Sequence, residues 1–319
     1  MPDKSLPQAI FLMGPTASGK TAAAMELVRH FPLEIISVDS ALVYRGMDIG
    51  TAKPGADILR VAPHHLIDIR DPSEPYSAAE FREDALVAMA DIRARGRVPL
   101  LTGGTFLYFR ALEYGLSDLP AADPAVRERL EDVLRREGLP AMYQRLQSVD
   151  PAAAARIHAT DPQRILRALE VYELTGQPLS ALHATGRGEP LPWRVLKLGL
   201  VPADRAVLHA RIGQRLATML AAGLEGEVRA LQARGDLQAE LPALRAVGYR
   251  QMWAALEGRE NMDEVAERIL VATRQYARRQ LTWLRGEPDV EYFELDDERL
   301  VQQLQRRLDE WLDLTMIKN

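Results

Sequence analysis

The sequence predicts an α/β fold in which a parallel sheet is covered by helices on both faces, together with an all-helical insertion. Apolar, strand-like runs alternate with helical patterns over roughly the first third of the chain. A glycine-rich loop, GPTASGKT, stands directly between an apolar run and a helical segment. From about residue 124 to residue 183 the pattern is helical, and the Gly/Pro-rich segment 183–193 that follows is predicted to be a loop. Parallel strands need long crossovers, usually helical, so these three observations favour a sheet buried on both faces.

The predicted strands are short apolar runs, and several end on polar or glycine residues. They are 10–13, 33–39, 64–69, 97–104 and 194–201, and helices are predicted from there to the end. Ligands of such sheets bind beyond the carboxyl ends of the strands. Three features fall at those ends: the glycine-rich loop, Asp39-Ser40 and Gly103-Gly104-Thr105.

Helix-terminal residues support the helical segments. Ser77 and Glu80 have the spacing of a capping box at the start of a helix over 77–95, and a shorter helix is predicted over 21–29. In the insertion, Asp161 is an expected N-cap, Pro162 the first helical residue and Gly176 the C-cap. The domain prediction is therefore a discontinuous core, 1–117 and 191–319, interrupted by a helical domain at 118–190.

The glycine-rich loop fits the phosphate-binding pattern G-x-x-x-x-G-K-[ST]. Its glycines let the backbone curl so that N–H groups point at a phosphate, and the following helix adds its positive end. Lys20 is expected to reach the terminal phosphate, and the Thr21 hydroxyl is expected to bind Mg²⁺. The motif refines the fold to a P-loop NTPase-like core without fixing the reaction. Its residues are Gly14, Pro15, Thr16, Ala17, Ser18, Gly19, Lys20 and Thr21.

Composition excludes several kinds of chemistry. The 319 residues contain no cysteine, which rules out disulfides, thiolate catalysis and cysteine-ligated zinc. Adjacent His64 and His65 point to opposite faces of a strand and are no metal pair, so Mg²⁺ is expected and zinc is not. No leader pattern is visible, and no apolar run approaches the roughly 20 residues that span a bilayer. We expect a cytoplasmic protein without a membrane partner, and a monomer with no obligate protein partner.

The net charge of −5 hides an uneven distribution. Residues 287–313 include ten acidic and three basic side chains, whereas 268–285 include five arginines and no acid. Such a basic segment suits a polyanionic partner. It equally suits a helix whose arginines pair with neighbouring acids.

Asp39 is the candidate catalytic carboxylate, because it ends a strand beside the phosphate loop. It could accept a proton from an incoming nucleophile, or it could orient Mg²⁺ through water. Asp68, in the next strand-like run, is interpreted as a structural residue. Small-molecule kinases use a similar loop and aspartate, so these features leave open a kinase, a transferase with a diphosphate leaving group, and a nucleotide-dependent switch.

Longer strings separate these alternatives. They are GPTASGKT, DSALVYRGMDIGTAKP (39–54), GGTFLYFRAL (103–112), DPQRILRALEVYELTG (161–176), AVGYRQ (246–251) and RRQLTWLR (278–285). In this order they closely resemble the bacterial tRNA dimethylallyltransferases, also called tRNA isopentenyltransferases, from about Ala9 to Arg285. The resemblance implies transfer of a dimethylallyl group from dimethylallyl diphosphate to N6 of the adenosine directly 3′ of the anticodon in tRNA. The loop would then bind the departing diphosphate.

The resemblance also implies roles for individual residues. Asp39 matches the base, Thr105 matches a residue near the reacting centre, and Arg127 matches an arginine that contacts tRNA or diphosphate. From the residues alone, Thr105 could equally be a helix N-cap and Arg127 a solvated charge. Together with Lys20 these form the expected catalytic set. Ser40, Ala41 and Leu42 would line the prenyl and adenine entrance.

The tRNA anticodon stem-loop is the implied macromolecular partner, and its adenine must leave the base stack to react. The resemblance places one helix against tRNA through Gln163, Arg164, Ile165, Leu166 and Arg167. On the helix around 271–285, Arg274, Arg278 and Arg285 fall within about 40° of each other at 100° per residue. They are therefore candidate phosphate contacts. Tyr276 and Trp283 fall nearly opposite and are interpreted as core anchors.

Overall fold

The computed structural model describes residues 5–117, 119–186 and 188–312 and divides into two compact units. Unit 1 combines Met1–Leu112 with Pro192–Asn319, and unit 2 is the intervening stretch Glu113–Leu191. The insertion boundaries expected from the sequence, 118 and 190, lie within five residues of these limits. Positions 118 and 187 of the connecting loops, and position 313 at the end of the acidic stretch, lie outside the described residues.

One six-stranded sheet organises unit 1, and every strand pairing in it is parallel, as predicted. The strand order is β3-β2-β4-β1-β5-β6. β1 lies between β4 and β5 and is buried at every residue, which explains its apolar run from Ala9 to Met13. The strands are β1 (Gln8–Met13), β2 (Leu33–Val38), β3 (His64–His65), β4 (Val98–Gly103), β5 (Arg194–Val201) and β6 (Val290–Glu294).

Helices make up most of the remaining described structure, and none of these helices is long and apolar enough to cross a membrane. They are α1 (Lys20–His30), α2 (Ala56–Val61), α3 (Ala78–Ala94), α4 (Phe106–Tyr114), α5 (Pro124–Val149), α6 (Pro151–Ala154), α7 (Pro162–Thr175), α8 (Leu179–Thr185), α9 (Arg205–Ala221), α10 (Leu224–Ala233), α11 (Tyr249–Leu256), α12 (Val265–Arg285) and α13 (Leu300–Trp311).

The core of unit 1 lies on both faces of the sheet. On one face, alternate strand residues such as Leu12 and Leu100 pack against Ala24 and Leu27 of α1, and Leu304 of α13 joins the same cluster. On the other face, Phe11 of β1 lies 5.0 Å from the ring of Phe109 on α4. Because the sheet is buried on both faces, it holds the loops that follow the carboxyl ends of its strands in fixed positions.

All regular secondary structure among the described residues of unit 2 is helical, and its own hydrophobic cluster is built mainly from α5 and α7. Glu170 on α7 is 1% exposed and is the polar centre of the unit. Its carboxylate accepts hydrogen bonds from Arg167 Nη1 at 3.0 Å and from the Asp123 N–H at 3.1 Å, and Arg127 Nη1 lies 3.9 Å away. Buried carboxylates need such partners, so two arginines expected to face tRNA also serve the internal structure.

Helix termini agree with the sequence prediction. Ser77 and Glu80 form the reciprocal capping box of α3. Asp161 caps α7 by accepting the Arg164 N–H, and Gly176 ends that helix at φ 69°. These signals are local, which is why the sequence alone located them.

Two strands differ from the prediction. The expected strand 64–69 pairs only at His64–His65, because Leu66 and Asp68 adopt positive φ angles of 63° and 57° and end the ladder. The expected all-helical end of the chain contains β6, which pairs with β5. β6 was missed because it is a partly exposed edge strand with charged residues and lacks a long apolar run.

A first prediction concerns Gly103, the last residue of β4. A Cβ atom there would overlap the carbonyl oxygen of Val38 on β2, which cannot move without breaking the ladder. We therefore expect Gly103→Ala to lower the free energy of unfolding by about 1–3 kcal/mol. Chemical denaturation measures this change.

The control is Gly213→Ala within α9, where an added Cβ meets no atom within 4 Å. Alanine is favoured over glycine inside a helix by roughly 0.5–1 kcal/mol, so this variant should be equal to or more stable than the parent. Equal stability of Gly103→Ala and the parent would show that the strand ends can separate.

Candidate active site

A cleft of about 920 Å³ opens in unit 1 at the carboxyl ends of β1, β2 and β4. The loops after these strands form its floor, and α9 and α12 supply side walls. Its position follows from the parallel topology, which brings the ends of all strands to one edge of the sheet.

The phosphate loop joins β1 to α1 in the conformation that its motif predicts. Ala17 and Gly19 have positive φ angles of 62° and 86°, and the Ser18 N–H closes a turn onto the Pro15 carbonyl at 3.3 Å. At Gly14 an added Cβ would come within 2.8 Å of the Leu200 carbonyl oxygen. The loop therefore curls tightly over the sheet and exposes 16–21 to the cleft.

Lys20 is the central cation of the cleft. Its Nζ donates hydrogen bonds to the Pro15 carbonyl at 2.7 Å and to Ser18 Oγ at 3.2 Å. Burial lowers the pKa of Lys20 to about 7; the Asp39 carboxylate acts in the opposite direction, and nearby Arg215 adds to the lowering. A bound polyanion would restore the full positive charge on this amine.

Asp39 follows β2 and is held in a fixed orientation. Its Oδ1 accepts the N–H groups of Ala41 at 2.8 Å and Leu42 at 3.3 Å, which closes a turn of the backbone onto the side chain. No described residue donates a hydrogen bond to Oδ2. One oxygen thus orients the carboxylate, and the other is available to a proton in the cleft.

Thr105 directly precedes α4, yet its hydroxyl does not cap that helix. Thr105 Oγ1 accepts the N–H of Ser40 at 3.1 Å and so ties the end of β4 to the segment after Asp39. Tyr276 of α12 lies in the same group: burial raises the pKa of its hydroxyl, and the Asp39 charge raises that pKa further. Tyr276 lines the cleft. Its interpretation as a core anchor was therefore wrong.

Trp283 is also no core anchor, since it is 40% exposed. The guanidinium of Arg110 on α4 lies over its ring at 5.6 Å from the centroid. Tyr276 and Trp283 do lie on the side of α12 opposite the three arginines. A helical wheel, however, does not show what each face of a helix packs against.

Gln280 on α12 is a site residue that sequence reasoning missed. It is 5% exposed; its Oε1 accepts the Thr16 N–H at 2.8 Å, and its Nε2 donates to the Gly104 carbonyl at 2.9 Å. One side chain thereby fixes the phosphate loop against the loop after β4. Gln280 stands in the string RRQLTWLR, whose glutamine was the only available signal.

Five arginines that line the cleft were likewise not singled out: Arg211, Arg215, Arg245, Arg250 and Arg279. Arg215 lies deep enough for burial to lower its pKa, against the opposing effect of Asp39, and it donates to the Thr51 carbonyl at 2.8 Å. Asp39 is the only carboxylate among the lining residues. The described cleft is therefore strongly electropositive and suits an anionic ligand.

The segment 50–55 forms another wall, and a carboxylate behind it holds it in place. Glu227 of α10 accepts three consecutive backbone N–H groups, from Asp48 and Ile49 at 2.8 Å each and from Gly50 at 3.1 Å. The Tyr249 hydroxyl donates to the same carboxylate at 2.5 Å, and the Tyr249 ring leaves no room for a Cβ at Gly50.

Lys53 secures the inside of this wall. Its side chain is 4% exposed, and its Nζ binds the Tyr44 carbonyl and the carboxylates of Asp48 and Asp68. Asp68 is thus a structural residue, which agrees with the sequence interpretation. The charge of Lys53 is therefore balanced by Asp48 and Asp68, and the wall adds no unpaired carboxylate to the cleft.

Comparison with known proteins identifies the family of this chain. A family model described as IPP transferase matches residues 42–287. The chain belongs to the IPP transferase family. A tRNA dimethylallyltransferase of Thioalkalivibrio sulfidiphilus (strain HL-EbGR7) is 61% identical over 296 residues, which are 93% of this chain and 92% of that protein.

Solved structures of the IPP transferase family agree. The full-length tRNA isopentenylpyrophosphate transferase of Bacillus halodurans is 36% identical, with a TM-score of 0.70 over 98% of each chain. A eukaryotic dimethylallyltransferase acting on tRNA is 26% identical, with a TM-score of 0.79 over 95% of this chain and 78% of that one. The predicted family and the P-loop NTPase-like core are therefore confirmed.

Unit 1 brings together one part of the predicted site. Lys20, Asp39 and the loop residues 16–21 line one cleft, with Ser40, Ala41 and Leu42 beside them. Gly14 and Pro15 lie buried beneath the loop, and Thr105 acts through Ser40.

The predicted residues of unit 2 have different surroundings. Arg127 also donates to Glu131 at 3.0 Å, and Arg164 and Gln163 are exposed. Ile165 and Leu166 are 0% and 3% exposed in the core of the unit, so their side chains present no surface to a tRNA. Arg167 is partly committed to Glu170. Contact of unit 2 with tRNA stays a prediction.

The sequence left open whether the arginines of α12 pair with neighbouring acids, and the structure answers this residue by residue. Arg268 pairs with Glu260 and Glu264, as an internally neutralised helix would. In contrast, Arg274, Arg278 and Arg285 make no ion pair with any described residue, and the latter two are exposed. These three do not line the cleft, so they offer a separate basic surface on the same helix.

We predict that Glu227→Gln destabilises the protein and weakens its affinity for inorganic diphosphate. In the parent, three backbone N–H groups donate to the Glu227 carboxylate. Glutamine would place its own N–H₂ donor against some of them. Hydrogen bonds to a charged group contribute about 1.5–3 kcal/mol. Because Arg215 is held by Thr51 of the same segment, loosening this wall also frees a cleft cation. Chemical denaturation and calorimetric titration measure the two effects.

Glu225→Gln is the matched control, since Glu225 lies on the same helix but is half exposed, and its ion-pair partner among the described residues is Arg229. Its stability should stay within about 0.5 kcal/mol of the parent. Equal behaviour of the two variants would contradict the positioning role of Glu227.

A further prediction concerns the pH dependence of Lys20. Because the pKa of Lys20 in the free protein is about 7, its amine should become nucleophilic near neutral pH, well below the ordinary lysine pKa of 10.5. Diphosphate favours the charged amine, so binding takes up a proton above pH 7 and the affinity falls as pH rises. Acylation of Lys20 measured by peptide mass spectrometry should show a midpoint near pH 7, displaced upward by diphosphate.

Asp39→Asn is the informative control for this titration. The Asp39 charge raises the pKa of Lys20, so its removal should lower the midpoint further. A midpoint above pH 10 in the unmodified protein would contradict the burial of the amine.

Proposed function

We propose that this protein transfers the dimethylallyl group of dimethylallyl diphosphate to N6 of the adenosine directly 3′ of the anticodon in tRNA and releases diphosphate. The supporting observation is that the phosphate loop and the Asp39 carboxylate open into one electropositive cleft, in a member of the IPP transferase family. A phosphate site and a proton acceptor in one cleft are what this reaction needs.

The cations of the cleft would stabilise the leaving group. When the C1–O bond of the donor breaks, its electron pair passes to the diphosphate, whose negative charge grows. Lys20, Arg211 and Arg215 line the cleft, and hydrogen bonds to the Pro15 and Thr51 carbonyls orient Lys20 and Arg215 there. These three cations would surround the diphosphate. Donors that are oriented before the reaction stabilise developing charge most effectively.

Mg²⁺ is the cofactor we propose, with Thr21 as its protein ligand. The described residues contain no cluster of three or more His, Asp or Glu side chains for a metal. The fitting groups are hydroxyls: Thr21 lines the cleft at the start of α1, and buried Ser37 Oγ and Thr102 Oγ1 have no partner among the described residues. Such a donor set suits an ion that keeps water and phosphate ligands. When bound, Mg²⁺ neutralises charge on the diphosphate.

Asp39 would act as the general base. The exocyclic amine of adenine is a weak nucleophile because its lone pair is delocalised into the ring. As N6 bonds to C1, its proton passes to the free Oδ2 of Asp39, while Oδ1 stays fixed by the Ala41 and Leu42 N–H groups. Thr105 keeps Ser40 and the adjoining backbone in place through its hydrogen bond.

For the tRNA we propose two contact regions. The first is the unpaired arginine surface of α12, which suits phosphate groups. The second is unit 2, through Arg127, Gln163, Arg164 and Arg167. Stacking and edge hydrogen bonds read unstacked bases in a loop, which is where the target adenine lies.

The kinase and nucleotide-switch alternatives have no observation in their favour. The comparisons name transferases that act on tRNA and no kinase. The monomeric state and the cytoplasmic location remain predictions from the sequence.

The test is transfer of the prenyl group itself. Protein, Mg²⁺, dimethylallyl diphosphate and unmodified tRNA should yield prenylated adenosine, detected by nucleoside mass spectrometry, and ATP should not replace the donor. Asp39→Asn should slow transfer by roughly 10²–10⁴-fold, because asparagine keeps the turn but cannot accept the proton. Its tRNA affinity should stay close to that of the parent.

The same assay separates the alternatives. Consumption of ATP with a phosphorylated small product would favour a kinase, and no mass gain on any tRNA would reject the proposal. Near-normal transfer by Asp39→Asn would leave the reaction intact and assign Asp39 a purely structural role.

A further inference from the structure

Two buried hydroxyls lie side by side on the floor of the cleft. Ser37, the fifth residue of β2, and Thr102, the fifth residue of β4, are register partners in the parallel ladder. Ser37 is 2% exposed and Thr102 is 8% exposed. Neither hydroxyl has a hydrogen-bond partner among the described residues, although both residues line the cleft.

The register places this pair on the face of the sheet that carries α1. Thr102 is also the register partner of Leu12 on β1, and Leu12 packs in the cluster with Ala23, Ala24 and Leu27 of α1. Residues in register on neighbouring strands share a face. The hydroxyls therefore lie beneath the first turn of α1, where Lys20 and Thr21 begin the helix and line the same cleft.

Such hydroxyls are out of place for stability alone. A buried hydroxyl without a partner is unfavourable, and native structures contain few of them. The residues at the preceding positions of this face, such as Ile35 and Leu100, are apolar. Alanine and valine would continue that pattern at the two positions, so the hydroxyls point to a polar ligand in the cleft.

We propose that Ser37 and Thr102 accept hydrogen bonds from the water ligands of the divalent cation that Thr21 and the diphosphate hold. The inference rests on the proposed function, because it needs the diphosphate. A hydrated cation presents donors, and neutral hydroxyls accept them without adding charge. Asp39 is the only carboxylate lining the described cleft, so the cation binds weakly alone and enters together with diphosphate.

The experiment uses the full chain and inorganic diphosphate. Ser37→Ala, Thr102→Val and the double variant are titrated calorimetrically with diphosphate, once with Mg²⁺ and once with a chelator. We expect each substitution to weaken Mg²⁺-dependent binding by about tenfold, in line with the loss of one hydrogen bond. Diphosphate binding without metal should equal that of the parent. Electron paramagnetic resonance with Mn²⁺ should show weak binding of the metal alone and tight binding with diphosphate.

Thermal unfolding checks that the variants fold. Valine matches threonine in shape and alanine removes only the hydroxyl of serine, so the Tm should not fall by more than a few degrees. Thr282→Val is the control, since its hydroxyl bonds to the Arg278 carbonyl on α12 and the residue lies outside the cleft. Its metal dependence should equal that of the parent.

Two outcomes overturn the inference. Unchanged Mg²⁺-dependent binding in the double variant would show that the hydroxyls do not meet the hydrated cation. A loss that persists with the chelator would place them directly on diphosphate oxygens. Failure of the proposed function is a separate result, because it appears as absent prenyl transfer in the parent whatever the diphosphate titrations give.

Discussion

The cleft depends on the close backbone approach of three strand ends. Gly103 permits the end of β4 to touch the carbonyl of Val38 on β2, and Gly104 stands beside the carbonyl oxygen of Gly14. Gln280 then bridges the two loops from α12. A side chain at either glycine would push apart the glycine-rich loop and the segment that follows Asp39. The glycine pair at the end of β4 therefore sets the distance between the glycine-rich loop and the segment that follows Asp39.

The electrostatic character of the cleft is maintained at a cost to the free protein. Burial lowers the pKa of both Lys20 and Arg215, which means that keeping these charges in the free protein costs free energy until an anion binds. Asp39 compensates part of this cost, because its charge raises both pKa values. The Asp39 carboxylate is thus electrostatically coupled to two cations of the cleft. Under the proposed function, donor binding at Lys20 and Arg215 would therefore be coupled to the charge on Asp39.

The sequence predicted what local rules determine. The phosphate loop, the caps of α3 and α7 and the buried strands β1, β2, β4 and β5 each carry their signal within a few neighbouring residues. Gln280 could not be assigned this way, because its partner Thr16 lies 264 residues earlier in the chain. Tyr276 was placed on the correct side of its helix, but only packing shows that this side faces the cleft. β3 ended early because Leu66 and Asp68 adopt positive φ angles that few non-glycine residues accept.

The walls of the cleft show why long strings of the sequence identify this family better than the loop does. A phosphate loop needs only its own backbone, and many unrelated reactions use it. The segment 48–53 instead needs Glu227 and Tyr249 behind it and Arg215 in front, and these come from three other helices. Each short motif of the sequence therefore contacts residues that lie far away in the chain. Several such motifs in the correct order specify one cleft shape. This shape, rather than the phosphate site alone, restricts which acceptor can reach the donor.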